Sequence, residues 1–273
     1  GEVANNTTTS YTSTISDSSL ILKSYLSVDH TAPPATPHLI CSRRSRLNLA
    51  DGEDLYVGKM TSEGDEYFPA SQYFTVGNKQ KITGLKEQIT TLPVFTDDSL
   101  ERLTGFSSDN FQFKNAFSNE GCMATRSLAN CKNVLVYLGY DGIYYYDGTA
   151  GKKLDIKLSK YVMDNINPTY MHLSCGCYFE DKYLLTYPKG ASTVPNETVY
   201  FDFETKTTGV FNLGFSCYSI WDKGGDAYSL KGGSNTEGRV YSVFDGLDDD
   251  GSNIICYDDV EPIDLGIPDI YKK

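Results

Sequence analysis

Past a proline-rich stretch at 31–37, short apolar and aromatic runs alternate with turn residues along almost the whole chain. Residues 47–49 and 54–60 flank Asp51-Gly52 and predict a hairpin, while the runs 73–76, 89–95 and 99–104 end at Gly77-Asn78, Asp97-Asp98 and Gly105. The clearest hairpin joins 134–138 to 143–146 around Gly139-Tyr140-Asp141-Gly142, since Asp-Gly between apolar strands supplies the positive φ of a tight turn. In the second half, 175–179 and 183–187 flank Glu180-Asp181-Lys182, and 198–203 and 209–213 flank Glu204-Thr205-Lys206-Thr207. The runs 218–221, 227–230 and 239–244 follow, with Gly232-Gly233 and Gly238 read as loop, and 254–257 and 262–265 read as the last strands. Only 158–166 has helical spacing, one short helix opened by Ser159 and stopped by Asn167-Pro168.

The N-terminal part is different. Residues 5–19 are rich in Asn, Thr and Ser and read as a loose arm or a polar strand edge, and 19–28 reads as a strand. Pro33, Pro34 and Pro37 then force an extended connector. The expected organisation is an N-terminal arm or strand at 1–31, shared with a neighbouring region, and a β-propeller-like domain at 32–273.

Strands at this spacing mean a sandwich, a barrel or a propeller, and roughly twenty of them are too many for one sandwich. Tyr144-Tyr145-Tyr146-Asp147-Gly148, Tyr200-Phe201-Asp202-Phe203-Glu204 and Val240-Tyr241-Ser242-Val243-Phe244-Asp245-Gly246 echo one another: aromatic strand, Asp, turn. Their spacings, about 50 and then about 40 residues, are near those of propeller blades. The fold expected is all-β: a β-propeller of about five four-stranded blades with one short helix. The arbitrary look of both ends reads as a piece excised from a longer polypeptide, which would leave the propeller incomplete.

Composition narrows the function. The 273 residues include 21 Tyr and 13 Phe, which suit pleated, half-buried strands. Asp and Glu number 36 against 24 Lys and Arg, a net charge of −12. That balance favours solubility and disfavours anionic membranes and a phosphate-gripping face. The one basic cluster, Arg43-Arg44-Ser45-Arg46, reads as a solvated strand edge. Seven scattered cysteines (Cys41, Cys122, Cys131, Cys175, Cys177, Cys217, Cys256) read as buried, reduced and apolar, and Cys175-Gly176-Cys177 lacks the second pair of a zinc knuckle. No window holds a membrane-length apolar run.

One stretch carries a resemblance. It runs from Arg46-Leu47 and Leu55-Tyr56-Val57-Gly58 through Asp65-Glu66-Tyr67-Phe68-Pro69-Ala70, Tyr73-Phe74-Thr75-Val76-Gly77 and Ile82-Thr83-Gly84-Leu85 to Ser99-Leu100-Glu101-Arg102-Leu103-Thr104-Gly105. Gly121-Cys122-Met123-Ala124-Thr125-Arg126-Ser127, Asp141-Gly142-Ile143-Tyr144, Gly238-Arg239-Val240-Tyr241, Asp249-Asp250-Gly251-Ser252-Asn253-Ile254 and Asp264-Leu265-Gly266 continue it. In that order, over about 32–273, these motifs resemble the β-propeller proteins of bacteriophage tails, the nozzle or hub family of short-tailed phages. Leu92-Pro93 departs from the pattern and implies an edge or a bulge there.

The resemblance implies a structural virion protein rather than an enzyme, located in the tail, assembled in the host cytoplasm and serving DNA ejection. Its implied partners are other tail or head-to-tail adaptor proteins, copies of itself in a ring, and DNA that passes without specific binding, with no membrane. It carries over no catalytic, cofactor-binding or metal residue, and no cofactor is expected.

His30, His38 and His172 join no Ser-His-Asp or Cys-His order and read as structural. Residues 232–238 lack the Lys-Ser/Thr and the helix of a phosphate loop. Residues 245–251 are acidic, but a calcium loop counted from Asp248 would put Asn253 where Gly is required, so a solvated turn is expected. The glycosylation-type triplets at Asn5, Asn6 and Asn196 read as chance. A receptor- or glycan-binding module that stacks ligands on Tyr side chains and Trp221 is the alternative function, and a hydrolase the third.

Overall fold

The alternating runs fold as hairpins that follow one another into small antiparallel sheets. The computed structural model describes residues 16–20, 32–60, 66–89, 91–107, 109–118, 120–225, 227–246 and 251. The first sheet contains β1 (Leu39–Arg43), β2 (Arg46–Asp51), β3 (Asp54–Val57) and β6 (Tyr73–Thr75), with β4 (Lys59–Met60) and β5 (Glu66–Tyr67) paired as a ribbon on the β3–β6 connection. The second contains β7 (Gly84–Leu85), β8 (Leu92–Phe95), β9 (Ser99–Thr104) and β10 (Gln112–Ser118). The third runs β11 (Ala129–Cys131), β12 (Val134–Gly139), β13 (Gly142–Tyr146), β14 (Gly151–Lys153). The fourth runs β15 (Cys175–Phe179), β16 (Lys182–Tyr187), β17 (Glu197–Asp202), β18 (Thr208–Phe211), and the fifth β19 (Phe215–Gly224), β20 (Ala227–Ser234), β21 (Val240–Val243).

Within every sheet, spatial order follows chain order, the meander of a propeller blade. Four four-stranded sheets and one three-stranded sheet among the described residues agree with the expected all-β, five-blade pattern. The described residues of 1–125 and 132–154 form one compact unit, and those of 126–131 and 155–273 a second.

In the first unit, the core lies between the first two sheets, where Ala50, Leu55 and Val57 meet Leu85, Leu92, Val94 and Leu103, closed by Val76 and Ile82. His38 ties this layer together: its Nε2 lies 2.8 Å from the Ile82 carbonyl, the structural role expected of it. The third sheet is held by Gln88, whose Nε2 donates to the carbonyl oxygens of Tyr146 (2.9 Å) and Asn133 (3.1 Å), and by Arg102, which donates to the Gly148 carbonyl. A Cβ at Gly121 would run into the backbone of Thr96 and Asp97, so this motif glycine marks a close chain crossing. In the second unit, Phe179 and Leu184 pack on Phe215, Leu230 and Val243 between the last two sheets.

The repeated phrase of aromatic strand, Asp and turn has a physical basis. Asp147 Oδ1 accepts the backbone N–H groups of Thr149 (2.9 Å) and Ala150 (3.2 Å). Asp202 Oδ1 accepts those of Glu204 (2.8 Å) and Thr205 (2.9 Å). Each closes an Asx-turn at the end of its strand. The Thr149 hydroxyl and N–H hold the Asp147 carboxyl well below the usual carboxylate range.

Several expectations are corrected. The β12–β13 loop is Tyr140-Asp141, closed by the Gly139–Gly142 pair, and neither loop residue has positive φ. The positive φ is on Gly142 (156°), and on Gly52 (61°) of the Asp51-Gly52 turn, as expected of glycine; it also falls on Arg44-Ser45 and Glu180-Asp181, the two-residue loops of the β1–β2 and β15–β16 hairpins, where closure of the register overrides residue preference. Pro93 lies in an inner strand with an unbroken register (Leu92–Leu103, Pro93–Arg102, Val94–Glu101), so it is neither at an edge nor in a bulge. Its carbonyl points toward Lys86 N, so its missing N–H also faces that side, where the two-residue β7 has already ended. The long helix, α2 (Ile156–Asn165), is capped by Asp155, whose Oδ1 accepts from Leu158 N at 2.6 Å; Ser159 is buried inside it. Ser19 and Leu20 belong to a four-residue helical turn, α1 (Asp17–Leu20), so the described residues hold two helices. The rest of the 19–28 run, the strands expected at 254–257 and 262–265, His30, Cys256, Asn5, Asn6, Asp248 and Asn253 lie outside the described residues.

Two buried polar groups allow tests. Tyr137 is fully buried, with ring centroids 4.7 Å from Phe95 and 5.9 Å from Tyr144, and its hydroxyl has no partner among the described residues. Tyr137→Phe is therefore expected to leave stability unchanged or raise it by about 1 kcal/mol in urea unfolding. Glu101 is buried on β9, with Oε1 accepting from Gly77 N at 2.6 Å; burial raises its pKa, and the Gly77 bond only partly offsets this. A raised folded-state pKa means the fold binds the proton more tightly than the unfolded chain, so the ionised carboxylate weakens the fold at neutral pH and protonation relieves it. Glu101→Gln should raise Tm relative to the parent at pH 7, by a margin that shrinks as pH falls into the carboxylate range.

Candidate functional site

The β19–β20 hairpin departs from the burial pattern of the other sheets. Its base is core: Phe215, Leu230 and the facing Val243 are buried. Its outer half, from Ser219 to Gly224 and back through Ala227 and Tyr228, is exposed on both faces. Three large apolar side chains stand there, Ile220 (48% exposed), Trp221 (60%) and Tyr228 (57%).

Register divides them. Ile220 pairs with Leu230 and Asp222 with Tyr228, so Ile220 and Tyr228 share one face. Trp221 pairs with Ser229 and projects from the opposite face. The Ile220 and Tyr228 face borders a groove of about 620 Å3 completed by Tyr178, Phe179, Glu180 and Ala227. Trp221, the stacking residue singled out in the sequence, does not line it.

The hairpin base depends on two glycines expected to be loop residues. Gly232 and Gly233 lie inside β20, and the loop falls between Ser234 and Val240. A Cβ at Gly232 would sit 2.6 Å from Phe215 Cδ1, and one at Gly233 2.7 Å from Cys217 Sγ. Side chains there would push Phe215 out of the core on which the hairpin stands.

The expected solvated edge at 43–46 is a different object. Arg43 is buried (4% exposed) and donates through Nη2 to the Gly105 carbonyl at 3.0 Å. Arg44 and Ser45 form the turn, with the Arg44 guanidinium 4.1 Å from the Phe106 ring centroid. Arg46 donates to the carbonyls of Gly58 (3.1 Å) and Phe106 (3.2 Å). Arg43, Arg44, Arg46 and Phe106, together with Asn48, Val57, Gly105 and Phe111, line a partly open cavity of about 110 Å3.

Other singled-out residues are not brought together. Cys175 is buried and donates to the Phe215 carbonyl, and burial pushes its thiol up to about 12. Cys177 is half-buried and Cys217 exposed, against the expectation of uniform burial, and all six described cysteines are free thiols. His172 lies on a short 3-10 turn (Met171–Leu173). Asn196 Oδ1 accepts from Lys189 N, and Asp245 pairs with Lys223 at 3.1 Å. Among the described residues, no group of three or more His, Cys, Asp or Glu is arranged to hold a metal ion.

Sequence reasoning missed the hairpin as a site, although a signal was present. Strict alternation through Ser219-Ile220-Trp221-Asp222 must put Ile220 and Trp221 on opposite faces.

No protein-family model matches the chain. No curated protein matches it either. Among solved structures it is similar to PorZ, an essential bacterial surface component of the type-IX secretion system of Porphyromonas gingivalis, at 10% identity and a TM-score of 0.37. That match covers 74% of this chain and 27% of PorZ, so the chain spans about a quarter of its neighbour's length.

Because Trp221 and Tyr228 are each more than half exposed, Trp221→Ser and Tyr228→Ser should each change unfolding free energy by less than about 0.5 kcal/mol. Chemical denaturation followed by far-UV circular dichroism measures this; a larger loss would mean that the side chains are part of the core.

Proposed function

We propose that the chain is a non-enzymatic structural module of a phage virion, a tail nozzle or hub propeller that assembles in a homo-oligomeric ring around the DNA conduit. The observation that carries this reading is the two-faced hairpin. A ring requires a head-to-tail contact, in which one surface of a subunit meets a different surface of the next. Trp221 on one face and Ile220 with Tyr228 on the other supply two unlike apolar surfaces pointing in opposite directions. Trp and Tyr are the residue types that dominate interface energies.

Two further features fit. The motifs that resemble phage tail propellers fall on the strands of the frame, as with Ser99–Thr104 on β9 and Gly84-Leu85 on β7, and on a close chain crossing at Gly121. The net charge of −12 would keep a passing duplex from adhering to the module. Head-to-tail adaptor and other tail proteins are the partners this reading assigns, with the virion tail as its location.

Size-exclusion chromatography with light scattering tests it, on the chain alone and mixed with the cognate adaptor. Closed oligomers are expected for the parent, and monomers for a Trp221→Ser/Tyr228→Ser double variant that retains its fold. A parent that stays monomeric in both settings would overturn the reading. A second reading, a receptor- or glycan-binding module, is favoured by the groove beside Tyr178 and Tyr228, whose volume suits a small ligand. It requires glycan-array binding that Tyr228→Ser abolishes and Trp221→Ser leaves intact.

A further inference from the structure

We propose that the cavity lined by Arg43, Arg44, Arg46 and Asn48 is a binding site for one phosphate group, as the free ion or as a monoester. This site is separate from the hairpin and does not rest on the ring assembly.

Three arginines line one small space in a chain of net charge −12, and none of the lining residues is Asp or Glu. Burial, and then the Arg44 charge, lower the proton affinity of Arg43; Arg46 adds to this, and Glu87 opposes it. Arginine stays charged in proteins, so Arg43 brings a buried positive charge to the cavity wall, with the Arg44 and Arg46 charges adding to its cost. The planar guanidinium fork matches phosphate oxygens, and each group has five N–H donors. Two donor contacts of Arg46 are to backbone carbonyls, which fix its guanidinium at the cavity wall. Arg44 is held over the Phe106 ring and is exposed at the cavity edge.

Asn48 supplies the selectivity. It is buried, and Nδ2 donates to the carbonyls of Cys41 (3.2 Å) and Arg46 (3.2 Å), which settles its amide orientation. Its Oδ1 is buried without a hydrogen-bond partner among the described residues. That acceptor requires a donor from the ligand. Inorganic phosphate has both acceptor oxygens and at least one O–H at neutral pH, and a monoester has one in its monoanion, whereas sulfate and phosphodiesters have no proton to give. A volume of about 110 Å3 admits one tetrahedral oxoanion, given that a water occupies roughly 30 Å3.

The test is thermal unfolding of the chain in sodium phosphate, sulfate or chloride at matched ionic strength, with phosphoserine in a short peptide as the monoester arm. Phosphate should raise Tm saturably above chloride, and sulfate should raise it less. In Arg44→Gln, an exposed position, the apparent dissociation constant should rise about tenfold or more, the effect of one lost charge-assisted hydrogen bond. Lys160→Gln, which removes an equal charge elsewhere, should keep the parent response. A response to the peptide alone would identify a phosphorylated partner as the source, and a response to inorganic phosphate would identify the free ion. The site is disproved if neither phosphate form shifts Tm relative to chloride, if sulfate equals phosphate, or if Arg44→Gln responds like the parent.

Discussion

A sheet of four short strands is too small to be stable alone, so each must have both faces covered. That constraint organises this molecule. Three inner strands are buried along nearly their whole length: β8 on every residue, and β12 and β16 on all but the first. Such strands read as continuous apolar runs rather than as alternation. Burial on both sides also suits the many tyrosines, whose rings fill buried space and several of whose hydroxyls find partners there. Tyr183 reaches the Ser127 carbonyl at 2.8 Å, and Tyr187 donates to Glu197, which also pairs with Lys189 at 2.6 Å.

The same constraint makes the turns economical. Two-residue loops close β1–β2, β12–β13 and β15–β16, and the strands dictate their backbone even where the residues are poorly suited to it. Arg44, Ser45, Glu180 and Asp181 all take positive φ, a conformation that L-residues adopt at a cost. Both strained loops lie beside the cavities described above, since Arg44 lines the arginine cavity and Glu180 the groove next to the hairpin. In each case the tight loop places a charged side chain at the rim of a concave surface.

Where the covering of sheet faces fails, function becomes legible. The outer half of β19–β20 extends beyond the layer that buries its base, leaving Ile220, Trp221 and Tyr228 in water. Scattered apolar side chains on a surface need no explanation, but here Ile220 and Tyr228 share one face of the hairpin while Trp221 stands on the other. The arginine cavity is the opposite case: charge is drawn inward, and burial raises its electrostatic cost.

The sequence by itself determined the class of fold, because short apolar runs and the turn residues between them are local properties. It also located most hairpins and the α2 region, and the repeated Asp at strand ends proved to be a repeated Asx-turn at Asp147 and Asp202. What it misread depended on neighbours distant in the chain. Pro93 is tolerated in an inner strand only because β7 stops short of it. Gly232 and Gly233 belong to a strand because Phe215 and Cys217 press against them. Arg43 reads as a surface charge until the Gly105 carbonyl and Phe106 are folded over it. Whether Trp221 was core or surface could be decided only by the tertiary structure, since burial depends on what packs against a strand, and no residue adjacent in sequence carries that information.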